Sequence, residues 1–198
     1  MRIGIDFDNT IACYDNSFHQ IALEKNWIDQ KILKSKEYVK SAMHEKGLFR
    51  EFTILQGLVY GKEILKAKLF DGFKNFIDDN CKFHDFFIIS HKTRYPIIGN
   101  KIDLHSAAYK FIKSNKLEYF FNGLNQRIFL EPKKEEKIKR TNLLELDFFI
   151  DDLPEILKMK GFSEKTQKIL FDPYHKSSKS SLLINLSSWK EINNFFKK

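Results

Sequence analysis

The feature that most constrains the fold is a series of short apolar runs separated by segments with helical spacing. The runs read "IGI", "DFFIIS", "RIFLE", "DFFID" and "KILFD", in that order along the chain. Short runs without polar alternation suit strands that are buried on both faces of a sheet. Parallel strands need crossover connections, which helices between consecutive strands supply. The sequence therefore predicts an α/β fold, with a doubly wound (Rossmann-like) parallel sheet and helices on both faces.

The stretch between the first two of these strands has a different character. Apolar residues recur there at helical spacing in "SFHQIALEKNW", "SKEYVKSAMHEKG", "EFTILQGLVYG" and "KEILKAKLF", and glycines separate the segments. No part of it alternates as a half-buried strand does. We expect a small all-helical block over residues 16–68, inserted into an α/β core formed by residues 1–15 and 69–198.

Composition narrows the class of protein. The 198 residues carry a formal charge of +8, but the lysines are scattered over predicted helices without an arginine-rich block. This pattern is typical of a solvated helical surface, so a nucleic-acid partner is not expected. The two cysteines, Cys13 and Cys81, have no zinc spacing and suit a reducing compartment. With neither a leader sequence nor a long apolar run, the chain is expected to be cytoplasmic and to avoid membranes.

Two acids follow the first apolar run. Asp6 and Asp8 stand at alternate positions, and Thr10 comes two residues later. Since a strand has a period of two, both carboxylates should point to the same side. Like charges at the end of a buried strand repel each other and lose hydration. A solvated turn would relieve this cost. A divalent cation with a phosphoryl group would relieve it too, and would give the acids a function.

Polar residues also end two later strands. Ser90 ends the second strand, and Asp151 and Asp152 end the fourth. The carboxyl ends of parallel strands meet at one edge of a sheet, where ligands bind. Carboxylates suit Mg²⁺, and one of them can act as a nucleophile. A hydroxyl and a lysine can hold phosphoryl oxygens, and the helix predicted to begin at Pro132 offers Lys133, Lys134 and Lys137. The combination predicts phosphoryl transfer.

Read together, "DFDNT", "IIS", a lysine and "IDD" resemble the four motifs of the haloacid dehalogenase-like (HAD) phosphatase superfamily. The resemblance extends from Arg2 to about Asp172, and the helical block resembles the cap of many members. It implies that Asp6 is the nucleophile and Asp8 the general acid-base. It implies phosphate binding by Thr10 and Ser90. It also implies a Mg²⁺ site whose residues are Asp6, the backbone carbonyl of Asp8, and Asp151, supported by Asp152.

The resemblance also implies one phosphate-binding lysine. "EEKI" is similar to the segment around the family lysine, which favours Lys137 for phosphate binding, with Lys134 as the alternative. Lys92 lies just beyond Ser90 in a basic loop, "HKTR", and we expect it to be a substrate contact.

The substrate is predicted only by class. A cap over the site suggests a small phosphorylated metabolite. "SHKT", "DLH" and "FIDDLPE" are similar to segments of HAD-like proteins encoded with bacterial surface-polysaccharide enzymes, which points to a phosphorylated sugar, small alcohol or amino-alcohol. "IDDLP" also resembles the corresponding motif of deoxyribonucleotidases, so a nucleoside monophosphate is the alternative.

Three other classes fit less well. A response-regulator receiver has its acidic pair after the first strand and its phospho-acceptor later, the inverse of the order here. A metal-dependent nuclease would have no need of Ser90 or Lys137. A non-catalytic phosphate- or nucleic-acid-binding protein is disfavoured because both Asp6 and Asp8 are present. Dehalogenase-type members, and many members without hydrolytic activity, lack the second acid.

Overall fold

The computed structural model describes residues 1–121, 127–177 and 182–197. Within these residues, the larger sheet has six strands, β1 (Arg2–Ile5), β4 (Asp85–His91), β5 (Ile128–Glu131), β6 (Phe148–Asp151), β7 (Gln167–Phe171) and β8 (Ile184–Leu186). All six are parallel, and their order in the sheet is β5-β4-β1-β6-β7-β8. The predicted α/β parallel sheet is therefore confirmed.

The first strand occupies the middle of this sheet. Ile3 pairs with Phe86 of β4 on one side and with Phe148 of β6 on the other. The next residue is Gly4, where an added Cβ would overlap the side chains of Leu146 and Phe149. A residue without a side chain therefore lets the sheet and its covering layer approach closely at this point. Because β1 is central, the residues that follow it lie between the ends of two neighbouring strands.

Helices cover both faces of the sheet. Successive residues of β4 show this, since Phe86 packs against Phe76 of one helix while Phe87 shares an apolar cluster with Leu157 of another. The rings of Phe76 and Trp189 lie 5.0 Å apart, so two helices meet on the first face. The α-helices that cover the sheet are α4 (Phe73–Asn80), α6 (Lys134–Leu143), α7 (Pro154–Leu157) and α8 (Trp189–Phe196).

The chain divides into two compact units. One comprises residues 1–12, 69–92 and 117–198, and the other comprises residues 13–68 and 93–116. The second unit contains α1 (Asp15–Glu24), α2 (Lys36–Glu45), α3 (Phe49–Tyr60) and α5 (Leu104–Ser114). Two short strands, β2 (Ala12–Cys13) and β3 (Lys68–Leu69), pair where the chain passes between the units. None of the helices described here is long and apolar enough to cross a membrane.

Residues 93–116 differ from the prediction, which assigned them to the α/β core. They belong to the helical unit because this loop and α5 pack against α3. A Cβ on Gly57 would lie 2.8 Å from Pro96 Cβ, and one on Gly61 would lie 3.1 Å from Leu104 Cδ2. The helical character of residues 16–68 agrees with the prediction, and their role as a cap stays a prediction.

Candidate active site

The predicted site residues all belong to the sheet-containing unit. Three stretches of chain at the carboxyl ends of β1, β4 and β6 carry most of them, and α6 adds one. They are Asp6, Asp8, Thr10, Ser90, Lys92, Lys137, Asp151 and Asp152. The backbone N–H of Asp6 donates to the Ile150 carbonyl at 2.9 Å, which extends the pairing of β1 and β6 to the first acid. This bond fixes the backbone of Asp6 beside the end of β6.

Lys137 joins two of the carboxylates. Its Nζ donates to Asp6 Oδ1 at 2.5 Å and to Asp151 Oδ2 at 2.6 Å. Lys137 is only 1% exposed, and both acids are buried as well. A buried ammonium between two carboxylates offsets part of their mutual repulsion and satisfies its own donors. Lys137 therefore organises the centre of the site.

The helix that carries Lys137 begins later than the sequence suggests. It was predicted to begin at Pro132, whereas α6 begins at Lys134, because Lys133 is extended, with φ −130° and ψ 149°. Lys137 is then on the first turn of the helix, and its backbone N–H donates to the Lys133 carbonyl. Lys137 lies at the carboxylates, so the geometry favours it over Lys134.

Burial and charge shift the proton affinities of this pair. Burial raises the pKa of Asp6 to about 6, even though Lys137 opposes the rise. Burial also disfavours the charged form of Lys137, but Asp151 and Asp6 outweigh this effect and hold its pKa above the usual lysine value. Lys137 is therefore a permanent positive charge beside the proposed nucleophile.

Three carboxylates form a cluster that could hold a metal ion. Oxygen atoms of Asp6, Asp151 and Asp152 all lie within 4.8 Å of one another. Asp151 is oriented by the Leu153 N–H, which donates to its Oδ1 at 2.9 Å. Hard carboxylate oxygens at this spacing fit Mg²⁺. Asp152 was predicted to support this shell, whereas its side chain lies in the cluster itself.

The two hydroxyl residues differ in their surroundings. Thr10 Oγ1 makes a long contact of 3.4 Å to Asp152 Oδ1, and its carbonyl accepts from Trp189 Nε1 at 3.0 Å. Ser90 is 1% exposed, and within the described residues its Oγ has no hydrogen-bond partner. A buried hydroxyl usually finds a partner. Ser90 therefore has a donor to offer a ligand, whereas Thr10 is engaged in holding the loop.

Lys92 lies close to the second acid. Its Nζ donates to Asp8 Oδ2 at 2.6 Å and to Asp8 Oδ1 at 2.9 Å. We predicted a substrate contact here, but Lys92 is 4% exposed and its ammonium is paired with Asp8. Strand periodicity indicates only that Lys92, two residues after Ser90, shares its side of the chain; it does not identify Asp8 as the partner.

A tight turn after β1 places Asp8. The Phe7 carbonyl accepts from both the Ile11 and the Ala12 N–H groups, at 3.1 and 3.0 Å. Asn9 has φ 60°, a left-handed conformation that asparagine tolerates better than most residues. The turn leaves the Asp8 carboxylate within hydrogen-bond distance of Lys92, the residue after β4. The two acids are therefore held in different environments, Asp6 with Lys137 and Asp8 with Lys92.

Solved structures with the same architecture were found by comparison. A HAD-superfamily hydrolase of Ehrlichia chaffeensis is 16% identical, with a TM-score of 0.56 over 99% of this chain and 95% of that one. The fold is that of the HAD-superfamily hydrolases. No protein-family model and no curated protein sequence matches the chain.

Two further HAD-like structures share this fold. The HAD-hydrolase YfnB of Bacillus subtilis, solved bound to magnesium, is 12% identical, with a TM-score of 0.54 over 100% of this chain and 98% of that one. The 2-haloacid dehalogenase of Pseudomonas syringae is 10% identical, with a TM-score of 0.51 over 99% of this chain and 97% of that one. These likenesses show the fold alone, so the chemistry of this chain has to be argued from its own site residues.

Proposed function

We propose that the protein is a Mg²⁺-dependent phosphatase that hydrolyses a small phosphate monoester through an aspartyl-phosphate. The observation that carries this proposal is the pair of acids after β1. Asp6 lies beside Lys137 and the acidic cluster, whereas Asp8 is paired with Lys92 outside that cluster. Two carboxylates in different environments can take two different roles.

In the first step, a carboxylate oxygen of Asp6 forms a bond to phosphorus while the bond from phosphorus to the leaving oxygen breaks. The Asp8 carboxyl gives its proton to that oxygen, and an alcohol leaves. In the second step, water attacks phosphorus and Asp8 takes a proton from it. The bond from phosphorus to Asp6 then breaks, which releases inorganic phosphate and restores the nucleophile.

The remaining residues would bind the phosphoryl group. Ser90 Oγ and Lys137 Nζ would donate to its non-bridging oxygens, which gain charge as the reaction proceeds. Asp6, Asp151 and Asp152 would hold Mg²⁺, with the Asp8 carbonyl as the further ligand that the family resemblance implies. When bound, the ion supplies positive charge that offsets repulsion between the carboxylates and the phosphoryl oxygens.

The second acid separates this proposal from dehalogenation, which the fold also hosts. A halide leaves without a proton, so a dehalogenase has no need of a general acid at that position. An alcohol is a much poorer leaving group and requires one. The presence of Asp8 therefore supports phosphate-ester hydrolysis.

The substrate class that we propose is a phosphorylated sugar, small alcohol or amino-alcohol, of the kind used in surface-polysaccharide synthesis. The support is the similarity of "SHKT", "DLH" and "FIDDLPE" to HAD-like proteins encoded with such enzymes. "IDDLP" supports nucleoside monophosphates as the second candidate. A screen of phosphorylated metabolites that reads released phosphate would rank the two groups, and a preference for nucleotides would overturn the first choice.

Covalent trapping tests the proposed chemistry. With an aryl phosphate, whose leaving group needs little protonation, Asp8→Asn should form the phosphoenzyme but hydrolyse it slowly, by a factor of about 10²–10⁴. Acid quench and peptide mass analysis should then find about 80 Da added to the peptide that contains Asp6.

The matched variant is Asp6→Asn, which should show neither turnover nor adduct. Asp78→Asn, at an exposed helix position, should behave like the wild type. Turnover by Asp6→Asn, with no adduct on any variant, would mean that water attacks phosphorus directly and would contradict the proposal.

A further inference from the structure

The pairing of Lys92 with Asp8 needs an explanation, because a buried lysine is costly. Taking an ammonium out of water costs several kcal/mol, and a buried ion pair often stabilises a protein no more than apolar residues would. Lys92 is nonetheless 4% exposed and touches both oxygens of one carboxylate. The stability of the fold alone therefore does not explain a buried lysine at position 92.

The backbone holds Lys92 firmly in this place. Its N–H donates to the Glu131 carbonyl at 2.8 Å, which continues the pairing of β4 and β5 beyond the last residue of β4. Its Nζ lies 5.5 Å from the centre of the Phe7 ring, the residue between the two acids. The backbone of Lys92 is thus fixed to the sheet, and its ammonium lies close to the Phe7 ring.

Asp8 is the more accessible partner. Its side chain is 18% exposed, against 3% for that of Lys92. A substrate can therefore approach the Asp8 carboxyl but has little access to the ammonium behind it. This arrangement suits a group that acts on the acid and not on the substrate.

We infer that Lys92 is a positioning residue that sets the orientation of the Asp8 carboxyl toward the leaving oxygen. The inference rests on the proposed function, in which Asp8 transfers protons. Because Nζ donates to both carboxyl oxygens, a rotation of the Asp8 carboxyl away from its present orientation would break at least one of these contacts. After the proton has moved to the leaving oxygen, the same contacts hold the carboxylate for the water that follows.

Leaving-group dependence tests this role. The substrates are phosphate esters from nitrophenyl to methoxyphenyl to a simple alkyl phosphate, measured as kcat/KM with Mg²⁺ present. Lys92→Met keeps an unbranched side chain, one atom shorter, and removes its donors. It should lose about 10- to 100-fold on the alkyl ester and less than about threefold on the nitrophenyl ester, because only the former needs a well-placed proton.

Two comparisons isolate the effect. Lys139→Met, the same substitution at an exposed position of α6, should match the wild type on every ester. In the Asp8→Asn background, Lys92→Met should cost less than about threefold on the alkyl ester, because a residue that acts through Asp8 has little left to act on. Should Lys92→Met fail to fold, Lys92→Leu, which likewise has no donor, provides the same comparison.

The outcomes separate the inference from the proposed function. An equal loss on all esters, or a full additional loss in the Asp8→Asn background, would overturn the positioning role and leave the phosphatase proposal standing. If Asp8→Asn instead shows the same leaving-group dependence as the wild type, or the wild type hydrolyses no ester, the proposed function fails and the inference fails with it.

Discussion

Lys137 Nζ and Asp6 Oδ1 lie 2.5 Å apart, although helix α6 and strand β1 bring these residues together from 131 positions apart in the sequence. The same ammonium reaches Asp151 at 2.6 Å. One cation thus compensates two buried acids that would otherwise repel each other. Removing this ammonium leaves both acids without that compensation. The role of Lys137 can therefore be tested by the stability of the protein as well as by its activity.

Lys137→Met should abolish hydrolysis and lower the free energy of unfolding. Breaking a buried pair by removing one partner costs about 3–5 kcal/mol, because the remaining charge stays buried. Denaturant unfolding and phosphate release are the measurements. Lys134→Met, one turn earlier on the same helix, should change stability by less than about 0.5 kcal/mol and keep activity. A Lys137→Met protein as stable and active as the wild type would contradict the site described here.

Mg²⁺ should raise the unfolding temperature and be required for activity. A ligand that binds only the folded state stabilises it by RT ln(1 + [L]/Kd), about 2.7 kcal/mol at a hundred times Kd. Chelator should abolish turnover, and Mg²⁺ should restore it. Ca²⁺ should restore little, because it is larger and prefers more ligands.

Variants assign this metal effect to the acidic cluster. Asp151→Asn and Asp152→Asn should lose most of the temperature shift, whereas Asp78→Asn, on the exposed surface of α4, should keep it. Thermal scans with and without Mg²⁺ suffice to read this result, even for variants that have lost activity. An equal shift in all four proteins would show that the ion binds elsewhere.

Ser90→Ala should separate stability from function. Ser90 Oγ is buried and has no partner among the described residues, so its removal deletes no hydrogen bond in the folded protein. We expect the free energy of unfolding to stay within about 1 kcal/mol of the wild type or to rise. The kcat/KM should fall about 10- to 100-fold, the value of a lost hydrogen bond to a charged group. Unchanged kinetics would mean that Ser90 is not a phosphate ligand.

Part of this architecture could be predicted from local pattern. The apolar runs predicted β1, β4, β5, β6 and β7, and the acids and hydroxyls of the predicted motifs do lie at or just beyond the carboxyl ends of strands. The strand order could not be predicted, because period and propensity say nothing about which strands are neighbours. β8 was missed, since "INL" is short and only half-buried.

The other misses are contacts between distant residues. Gly57 and Gly61 read as breaks between helices, whereas in the structure Gly57 lets Pro96 and Gly61 lets Leu104 approach α3. Lys92 and Asp8 are 84 positions apart, so no local pattern links them. A lysine beside a phosphate site suggests a substrate contact from its charge alone. Only the contact in the folded chain shows that the Lys92 ammonium faces the Asp8 carboxylate.

A last prediction concerns the indole of Trp189, which ties the final helix to the turn that carries Asp8. Trp189 is fully buried, and its Nε1 donates to the Thr10 carbonyl at 3.0 Å. Trp189→Phe keeps an aromatic ring against Phe73 and Phe76 but leaves that carbonyl without its donor. We expect a loss of about 1–3 kcal/mol for the unsatisfied group.

The kinetic consequence follows from the place of Thr10 in the turn. A looser turn should misplace Asp8 more than Asp6, whose backbone is bonded to β6, so kcat should fall further for alkyl than for nitrophenyl phosphates. Trp27→Phe, the same change in the helical unit, is the matched control, and it should leave the ratio of the two kcat values unaltered. Denaturant unfolding measures the first effect, and steady-state kinetics on both esters measures the second. If Trp189→Phe lowers stability but keeps the wild-type ratio, the indole supports only the packing of α8 and has no part in holding the catalytic turn.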